Sequence, residues 1–183
     1  MTFSNLARWG GLAAVAAGVL FIIADLVALF FVLVGGSAGS LLLRSAIAVV
    51  GGVLLLLGLV GLYARRSEAL GILGLVGFLA AFAGLVWGEQ NFLWAPLLAS
   101  VGWVLFGAAS LRAAAYPRGA GVLLIIGAVL TGVVNALIGS RPAEIPPSVV
   151  GVGAVADIIF FAAVIWLGYG LFTRRGEEPR RRT

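Results

Sequence analysis

Long apolar runs separated by short polar breaks dominate the sequence. The breaks carry glycine, proline or charged residues, as in GGSAGS at 35–40, ARRSE after Tyr63 and SRPAEIPP from Ser140. About 20 apolar residues cross the hydrocarbon core of a bilayer, and six runs reach that length: 9–34, 41–64, 69–88, 96–115, 119–138 and 149–173. Loops this short force neighbouring helices to run antiparallel. The pattern predicts an all-α bundle of six transmembrane helices, built as three successive hairpins at 9–64, 69–115 and 119–173.

The composition favours a membrane protein without a separate soluble domain. Of 183 residues, 62% are hydrophobic and 10% are charged, whereas soluble domains carry about 25% charged residues. We therefore expect a single six-helix transmembrane domain at 1–173 and a charged, disordered cytoplasmic tail at 174–183. The first apolar run is too long for the h-region of a signal peptide, so we interpret it as a retained span.

Basic residues predict the orientation of the bundle. In the six-span arrangement the basic clusters fall on one side of the membrane, which should be the cytoplasmic side. Both termini are then cytoplasmic, and the protein is a multi-pass protein of the bacterial inner membrane. The arginines that we interpret as topology anchors are Arg65, Arg66, Arg118, Arg174 and Arg175.

Two similar octets indicate an internal repeat. GLYARRSE at 61–68 and GLFTRRGE at 170–177 each end an apolar run. The octets are 109 residues apart, and a shift of 110 pairs the first predicted span with the fifth and places Asp25 on Asn135, so the first predicted hairpin resembles the last, while the middle hairpin fits more loosely at a shift of 50. Because all three hairpins start on the same side, the repeat is parallel, unlike the inverted repeats of many secondary transporters.

Small residues recur at heptad spacing, which keeps them on one helix face. Because small residues let helix backbones approach closely in lipid, we predict that these faces point into the bundle. The predicted packing positions are Gly11, Gly18, Gly51, Gly58, Gly77, Gly84, Gly88 and Gly121. The GxxxG step from Gly84 to Gly88 is also a candidate face for self-association.

Polar residues lie toward the opposite, outer ends of the same helices. The candidate binding residues are Asp25, Arg44, Glu89, Asn135 and Asp157. Charges inside a membrane are costly and mark functional sites by default. One interpretation is an outward-opening polar pocket in which Arg44 pairs with Asp25, Asp157 or both. The other is a buried ion pair of Arg44 with one aspartate that only fixes helix register, while Asp157 is protonated in its apolar surroundings. The sequence leaves both open.

Missing residue types exclude several chemistries. The chain has no cysteine, histidine or lysine, which removes disulfides, thiolate or histidine metal ligands, a Ser-His-Asp triad and a lysine Schiff base. We therefore predict no metal, no cofactor and no catalytic residues. IADL at 23–26 and VADI at 155–158 lack the YD and GxGD contexts of intramembrane aspartyl proteases. The arginines flank apolar spans without interleaved aromatics, so nucleic acid is not an expected partner.

Three strings carry a family resemblance. GLVGLYARRSEALGILGLVGFLAAF, GWVLFGAASLRAAAYPRGAGVLLIIGAVL and the terminal WLGYGLFTRR resemble a broad group of uncharacterised bacterial six-span membrane proteins. The similarity covers most of the chain and implies a topology but no activity. The three-hairpin layout is also similar to that of HdeD-type acid-resistance membrane proteins, although the loop prolines expected there are poorly matched.

Two functional hypotheses follow. The first is a non-enzymatic membrane protein, either an accessory or scaffold subunit or a binder of a lipid or small ligand. Its expected partners are membrane lipid and a homo-oligomer or larger membrane complex. The alternative is a small transporter or channel whose outward-facing pocket uses Asp25, Arg44 and Asp157.

Overall fold

The described chain forms five α-helices. A computed structural model describes residues 3–34, 39–87, 94–140 and 147–173. The helices are α1 (Phe3–Val34), α2 (Gly39–Trp87), α3 (Trp94–Arg112), α4 (Arg118–Ser140) and α5 (Pro147–Thr173). The predicted all-α class is confirmed, and all five helices are long and apolar enough to cross a membrane. The second and third predicted spans lie in one helical element, α2, whose backbone leaves helical geometry between them, so the described residues form five helical elements and six separate spans stay a prediction.

Helix α2 folds back on itself. The rings of Tyr63 and Phe78 stack with their centroids 4.7 Å apart, although fifteen residues of straight helix would separate them by about 22 Å. The reversal lies where the backbone leaves helical geometry, at Arg66 (φ −130°, ψ 16°) and Gly71 (φ 59°, ψ −158°). The element therefore has two arms, α2a (39–65) and α2b (72–87).

The sequence explains why this break is a kink. The segment ARRSEAL contains no proline and is rich in good helix formers, so the departures from helical geometry are confined to Arg66 and Gly71. The conformation of Gly71 is one that essentially only glycine adopts. A Cβ at that position would meet no atom within 4 Å. The requirement for glycine there is therefore one of backbone conformation and not of space.

The helices close a ring of antiparallel neighbours. Helix α1 contacts both α2 and α5, and the contacts continue from α2 to α3, from α3 to α4 and from α4 to α5. Glycines fix the registers: Gly10 lies against Gly61, Gly77 against Phe106 and Gly127 against Phe160. The α3–α4 and α1–α5 neighbours are antiparallel as well, so the ring does not single out three hairpins.

All the described arginines outside Arg44 gather at one end of this ring, the arginine end. The Arg8 guanidinium lies 5.2 Å from the ring centroid of Phe172, and Arg65 Nη1 donates a hydrogen bond to the Leu171 carbonyl at 3.0 Å. The Tyr116 hydroxyl donates to the Leu62 carbonyl at 2.6 Å. The two octets of the predicted repeat thus contact each other directly, through Arg65 and Leu171.

The interior has two unlike halves. Near the arginine end, the fully buried side chains of Leu59, Phe106, Leu124 and Leu167 each lie six residues from the end of their helical segment. They therefore meet at one level, which we call the packed half. The other half of the interior, toward the opposite end, contains a cavity, and we call it the cavity half. Many large apolar side chains face outward, including Ile72, which is 82% exposed, as expected for surfaces that lipid covers.

Candidate ligand-binding cavity

A cavity of about 230 Å³ lies inside the ring, and every helix contributes to its wall. It extends from Leu55 and Trp103 near mid-helix to Pro96 and Asn135 near the end opposite the arginines. The lining residues are Phe21, Leu55, Gly84, Leu85, Pro96, Ala99, Ser100, Trp103, Ala128, Thr131, Asn135, Phe160 and Phe161. Most of these side chains are apolar, so the cavity suits a largely apolar molecule.

Four aromatic rings form a continuous wall of this cavity. Phe21 and Phe161 stack with their centroids 4.6 Å apart and their planes 6° from parallel. Phe160 meets Phe161 edge to face at 5.0 Å, and Trp103 meets Phe160 in the same way at 5.2 Å. The aromatic wall therefore joins α1, α3 and α5.

Glycines on neighbouring helices leave the space in which these aromatic residues pack. A Cβ at Gly51 would lie 2.9 Å from Cε2 of Phe21, so only a hydrogen atom fits behind that ring. Gly127 of α4 lies against the backbone of Phe160, and Gly18 of α1 lies against the carbonyl of Phe161. Small residues thus bring the backbones of α1, α4 and α5 close together at the level of the aromatic wall.

The polar part of the cavity lies on α4 and is supported by α5. Thr131 lines the cavity, and its hydroxyl donates a hydrogen bond to Oδ1 of Asp157 at 2.8 Å. Asp157 precedes Phe160 and Phe161 by three and four residues, so all three share one face of α5. The Asp157 carboxylate is therefore one hydrogen bond away from the cavity. Asn135, one helical turn beyond Thr131, also lines it.

The structure places the predicted polar residues in different surroundings. Asn135 lines the cavity, and Asp157 is connected to it through Thr131. Asp25 is 8% exposed and lies on the face of α1 that carries Gly11 and Gly18. The side chain of Arg44 and the whole of Glu89 lie outside the described residues.

The cavity differs from the pocket that the sequence predicts. We expected polar walls between the first two and the last two spans. The described cavity is mainly apolar and includes Gly84 and Leu85 of α2b as well as Trp103 of α3. The aromatic wall and Thr131 were not predicted. The spacing of Thr131 and Asn135, four residues apart on one helix face, was the available signal.

Seven of the eight predicted packing glycines lie against a neighbouring helix or its side chains. Gly11 and Gly18 face α5, Gly51 and Gly58 face α1, Gly77 and Gly84 face α3, and Gly121 faces Leu111 of α3. Gly84 packs against Ala99 of the same chain. Gly88 lies outside the described residues.

The predicted topology anchors have structural contacts. Arg65 binds the end of α5, Arg66 sits in the kink of α2, and Arg118 begins α4 and is exposed. Burial raises the pKa of Tyr116, in the turn between α3 and α4, while the nearby Arg66 and Arg65 act in the opposite direction. Arg174 and Arg175 lie outside the described residues. Among the described residues, no three acidic side chains are grouped to hold a metal ion.

The fold and the cavity describe an all-helical chain with several apolar helices of membrane-spanning length. Comparison with family models, with curated proteins and with solved structures finds no match to this chain. Any function must therefore be argued from the cavity itself.

Proposed function

We propose that the chain is a non-enzymatic integral membrane protein that binds a small, largely apolar molecule in its central cavity. The observation that carries this proposal is the cavity of about 230 Å³, with its aromatic wall on one side and Thr131 and Asn135 on the other. Membrane proteins gain stability by close packing. The cavity is partly open, so a small molecule can enter it, and its mainly apolar wall offers that molecule a surface on which to pack closely.

The chemistry of the lining favours binding over catalysis. The described lining side chains are aromatic, aliphatic, hydroxyl or amide groups. Ser100 and Thr131 would need a general base to act as nucleophiles, and the sequence offers no histidine or lysine for that task.

We also propose six membrane crossings with both termini in the cytoplasm. The apolar part of α2 is 42 residues long, about twice the length that one crossing requires, and the α2 reversal lies at the arginine end. Each arm of α2 would then make one crossing, and the arginine end would face the cytoplasm. Membrane lipid is the expected partner, and assembly into a homo-oligomer or larger complex stays a prediction.

A cavity-filling variant tests the ligand-binding proposal. Ala128 lines the cavity and is 1% exposed, so Ala128→Leu should occupy part of the ligand volume. Ala162 on α5 faces outward, and Ala162→Leu adds the same atoms where lipid can move aside. After purification in lipid nanodiscs, mass spectrometry of solvent extracts should find a compound enriched with the wild type and with Ala162→Leu but depleted with Ala128→Leu. Equal recovery from all three proteins, with equal melting temperatures, would contradict ligand binding in this cavity.

Transport is the second candidate, and the shape of the interior favours it. The cavity reaches toward one end of the bundle, while the packed half closes the other end, which is the geometry of a carrier open to one side. Asp157, and Asp25 on the neighbouring helix, would supply the charge for an ion or proton. Reconstituted vesicles should then show a solute flux that Asp25→Asn or Asp157→Asn reduces, and unchanged flux in both variants would exclude these carboxylates from transport.

A further inference from the structure

We infer that the molecule bound in the cavity is an uncharged compound with an apolar body and one hydrogen-bond donor, such as a small aromatic alcohol or phenol. This inference rests on the proposed ligand-binding function and adds the chemical class of the ligand. Three features of the described residues carry it: the grouping of the polar lining side chains, the direction of the Thr131 hydrogen bond and the chemistry of the remaining wall.

The polar side chains of the lining are grouped between α3 and α4. Thr131 and Asn135 lie four residues apart on one face of α4, and Ser100 of α3 also lines the cavity. A Cβ at Gly132 would lie 2.9 Å from both Cβ and Oγ of Ser100, so Ser100 packs against α4 directly beside Thr131. We call Ser100, Thr131 and Asn135 the polar patch. The rest of the lining is mainly aromatic and aliphatic.

Two members of the polar patch have hydrogen-bonding capacity to offer a ligand. Within the part of the chain that the structure describes, the side chains of Ser100 and Asn135 make no hydrogen bond, and both residues are partly exposed. Polar groups inside proteins are normally paired, and covering them with a purely apolar molecule is unfavourable. A ligand that carries one polar group opposite the patch avoids this loss.

The Thr131 hydroxyl determines which polar group fits. A hydroxyl has one proton, and that of Thr131 is donated to Oδ1 of Asp157 at 2.8 Å. Toward a ligand, the Thr131 oxygen can therefore only accept a hydrogen bond. A ligand hydroxyl can donate to this oxygen and accept from Ser100 or Asn135, which can each donate. An ether or ketone oxygen would instead meet the Thr131 oxygen with lone pairs on both sides.

The remaining wall favours an uncharged ligand. The described lining side chains are aromatic, aliphatic, hydroxyl or amide groups. An ion that leaves water for such a wall loses most of its hydration without direct contact to an opposite charge, which is costly. A single hydroxyl loses much less, and the polar patch replaces its hydrogen bonds to water.

The cavity volume sets the size of the probes. A water molecule occupies about 30 Å³ in the liquid, so a cavity of about 230 Å³ holds a molecule with on the order of ten non-hydrogen atoms. Phenethyl alcohol meets this limit. Propylbenzene has a methyl group in place of the hydroxyl, and phenethylammonium has a charged ammonium group there, so the three probes share one shape. Methyl phenethyl ether keeps the oxygen but has no donor.

Equilibrium dialysis of the probes against protein in lipid nanodiscs measures their binding. Nanodiscs with Ala128→Leu, whose cavity is partly filled, give the background, and each affinity is referred to the probe concentration in the lipid so that partitioning cancels. We expect phenethyl alcohol to bind roughly tenfold more tightly than propylbenzene or methyl phenethyl ether. Phenethylammonium should bind about tenfold more weakly than the alcohol, or less.

Variants of the polar patch assign this preference to the cavity. Ser100→Ala and Thr131→Val should each weaken phenethyl alcohol about threefold to tenfold, with little effect on propylbenzene, which forms no hydrogen bond. Ser110→Ala is the matched control on the same helix. Ser110 donates to the Phe106 carbonyl at 2.8 Å outside the lining, so its loss should leave the affinities of both probes unchanged. Melting temperatures verify that each variant is folded.

The outcomes separate this inference from the proposed function. If the alcohol, the ether and propylbenzene bind equally, and the patch variants change none of them, the cavity does not select a donor and the inference fails while the ligand-binding proposal stands. Tighter binding of phenethylammonium, or an extracted compound that is charged or lacks a donor, overturns it in the same way. If no probe binds above the background and no compound is enriched, the proposed function itself fails.

Discussion

The packed half and the cavity half of the interior are built from the same helices with opposite results. In the packed half, Leu59, Phe106, Leu124 and Leu167 lie at one level and are fully buried. In the cavity half, glycines also bring α1, α4 and α5 close together, yet the aromatic rings there line a partly open cavity. The difference teaches that close backbone contact and a filled interior are separate properties. In this bundle, close contact between helix backbones positions the cavity walls in the half where the interior is not filled.

The largest expected effect comes from a core ring of the packed half. Phe106→Ala should destabilise the protein by about 3 kcal/mol, because the ring is fully buried and its removal leaves a cavity that the neighbours cannot fill. Phe21→Ala should cost markedly less, since its ring already borders a void. Thermal unfolding in detergent measures both. Equal losses would show that the two halves do not differ in packing.

A close helix contact in the packed half should be nearly as sensitive. A Cβ at Gly168 would lie 2.7 Å from the Gly11 carbonyl oxygen, whereas one at Gly170 would meet nothing within 4 Å. We expect Gly168→Ala to cost about 2 kcal/mol by overpacking. Gly170→Ala, two residues away on α5, should be neutral or slightly stabilising because alanine favours the helix. Comparable unfolding of both variants would argue against the α1–α5 register.

The reversal of α2 should depend on one backbone conformation. Gly71→Ala should cost about 1 to 2 kcal/mol, because alanine is strained at φ 59° and ψ −158°. Gly52→Ala is the matched control on the other arm, since both positions have open space for a Cβ. A wild-type melting temperature for Gly71→Ala would contradict the observed kink, and with it the fold-back of α2b onto α2a.

The arginine end should lose stability at high pH through Tyr116. Burial raises the pKa of Tyr116, so the folded protein keeps this proton at a pH where the unfolded chain, with a pKa of about 10, releases it. The stability contributed by Tyr116 is therefore complete below about pH 10 and falls by up to 1.4 kcal/mol for each pH unit above it, roughly, until the folded group titrates. Unfolding between pH 8 and 11 should show this decline.

Tyr116→Phe isolates this contribution. The variant should be about 1 kcal/mol less stable at neutral pH, because the hydrogen bond to the Leu62 carbonyl is lost. It should also show a shallower decline above pH 10 than the wild type. Parallel pH profiles for the two proteins would mean that Tyr116 is as accessible to water in the folded protein as in the unfolded chain.

The smallest effect on stability is expected in the cavity half. Thr131→Val removes the hydrogen bond to Asp157, and such bonds between membrane helices contribute about 0.6 kcal/mol on average. The melting temperature should therefore change little, while less of the compound that co-purifies with the wild type should be recovered, because the cavity loses the Thr131 hydroxyl. A large stability loss with unchanged binding would make Thr131–Asp157 a purely structural contact.

The sequence predicted more of the fold than of the cavity. Break signals such as ARRSE correctly predicted where the chain changes direction, and the glycine spacings predicted helix faces that lie against neighbours at Gly11, Gly58 and Gly77. The predicted break after Tyr63 coincides with the non-helical residues Arg66 and Gly71 inside α2, and hydropathy alone cannot say whether such a break is a kink or a loop. Among the cavity residues, Asn135 was predicted, whereas Phe21, Phe160 and Thr131 were not.

The missed residues have a common physical cause. In a soluble protein, apolar periodicity distinguishes the buried face of a helix from the face in water. In a membrane, the protein interior and the lipid are both apolar. The sequence therefore cannot distinguish Phe160 and Phe161, which line the cavity, from Trp166, which faces outward. Only polar residues such as Asn135 and Asp157 can be recognised from the sequence, because exposing a polar side chain to lipid is unfavourable at any position of the bundle.

The sequence by itself determined the helical class, the apolar character of the helices, the grouping of arginines near their ends and the absence of histidine, cysteine and lysine chemistry. These features follow from composition and from local backbone preferences. The tertiary structure alone decided that α2 reverses at Gly71, that all five helices line one cavity toward the end opposite the arginines, and that Thr131 joins Asp157 to that cavity. Those features depend on the shapes of side chains brought together from distant parts of the chain, which no local pattern specifies.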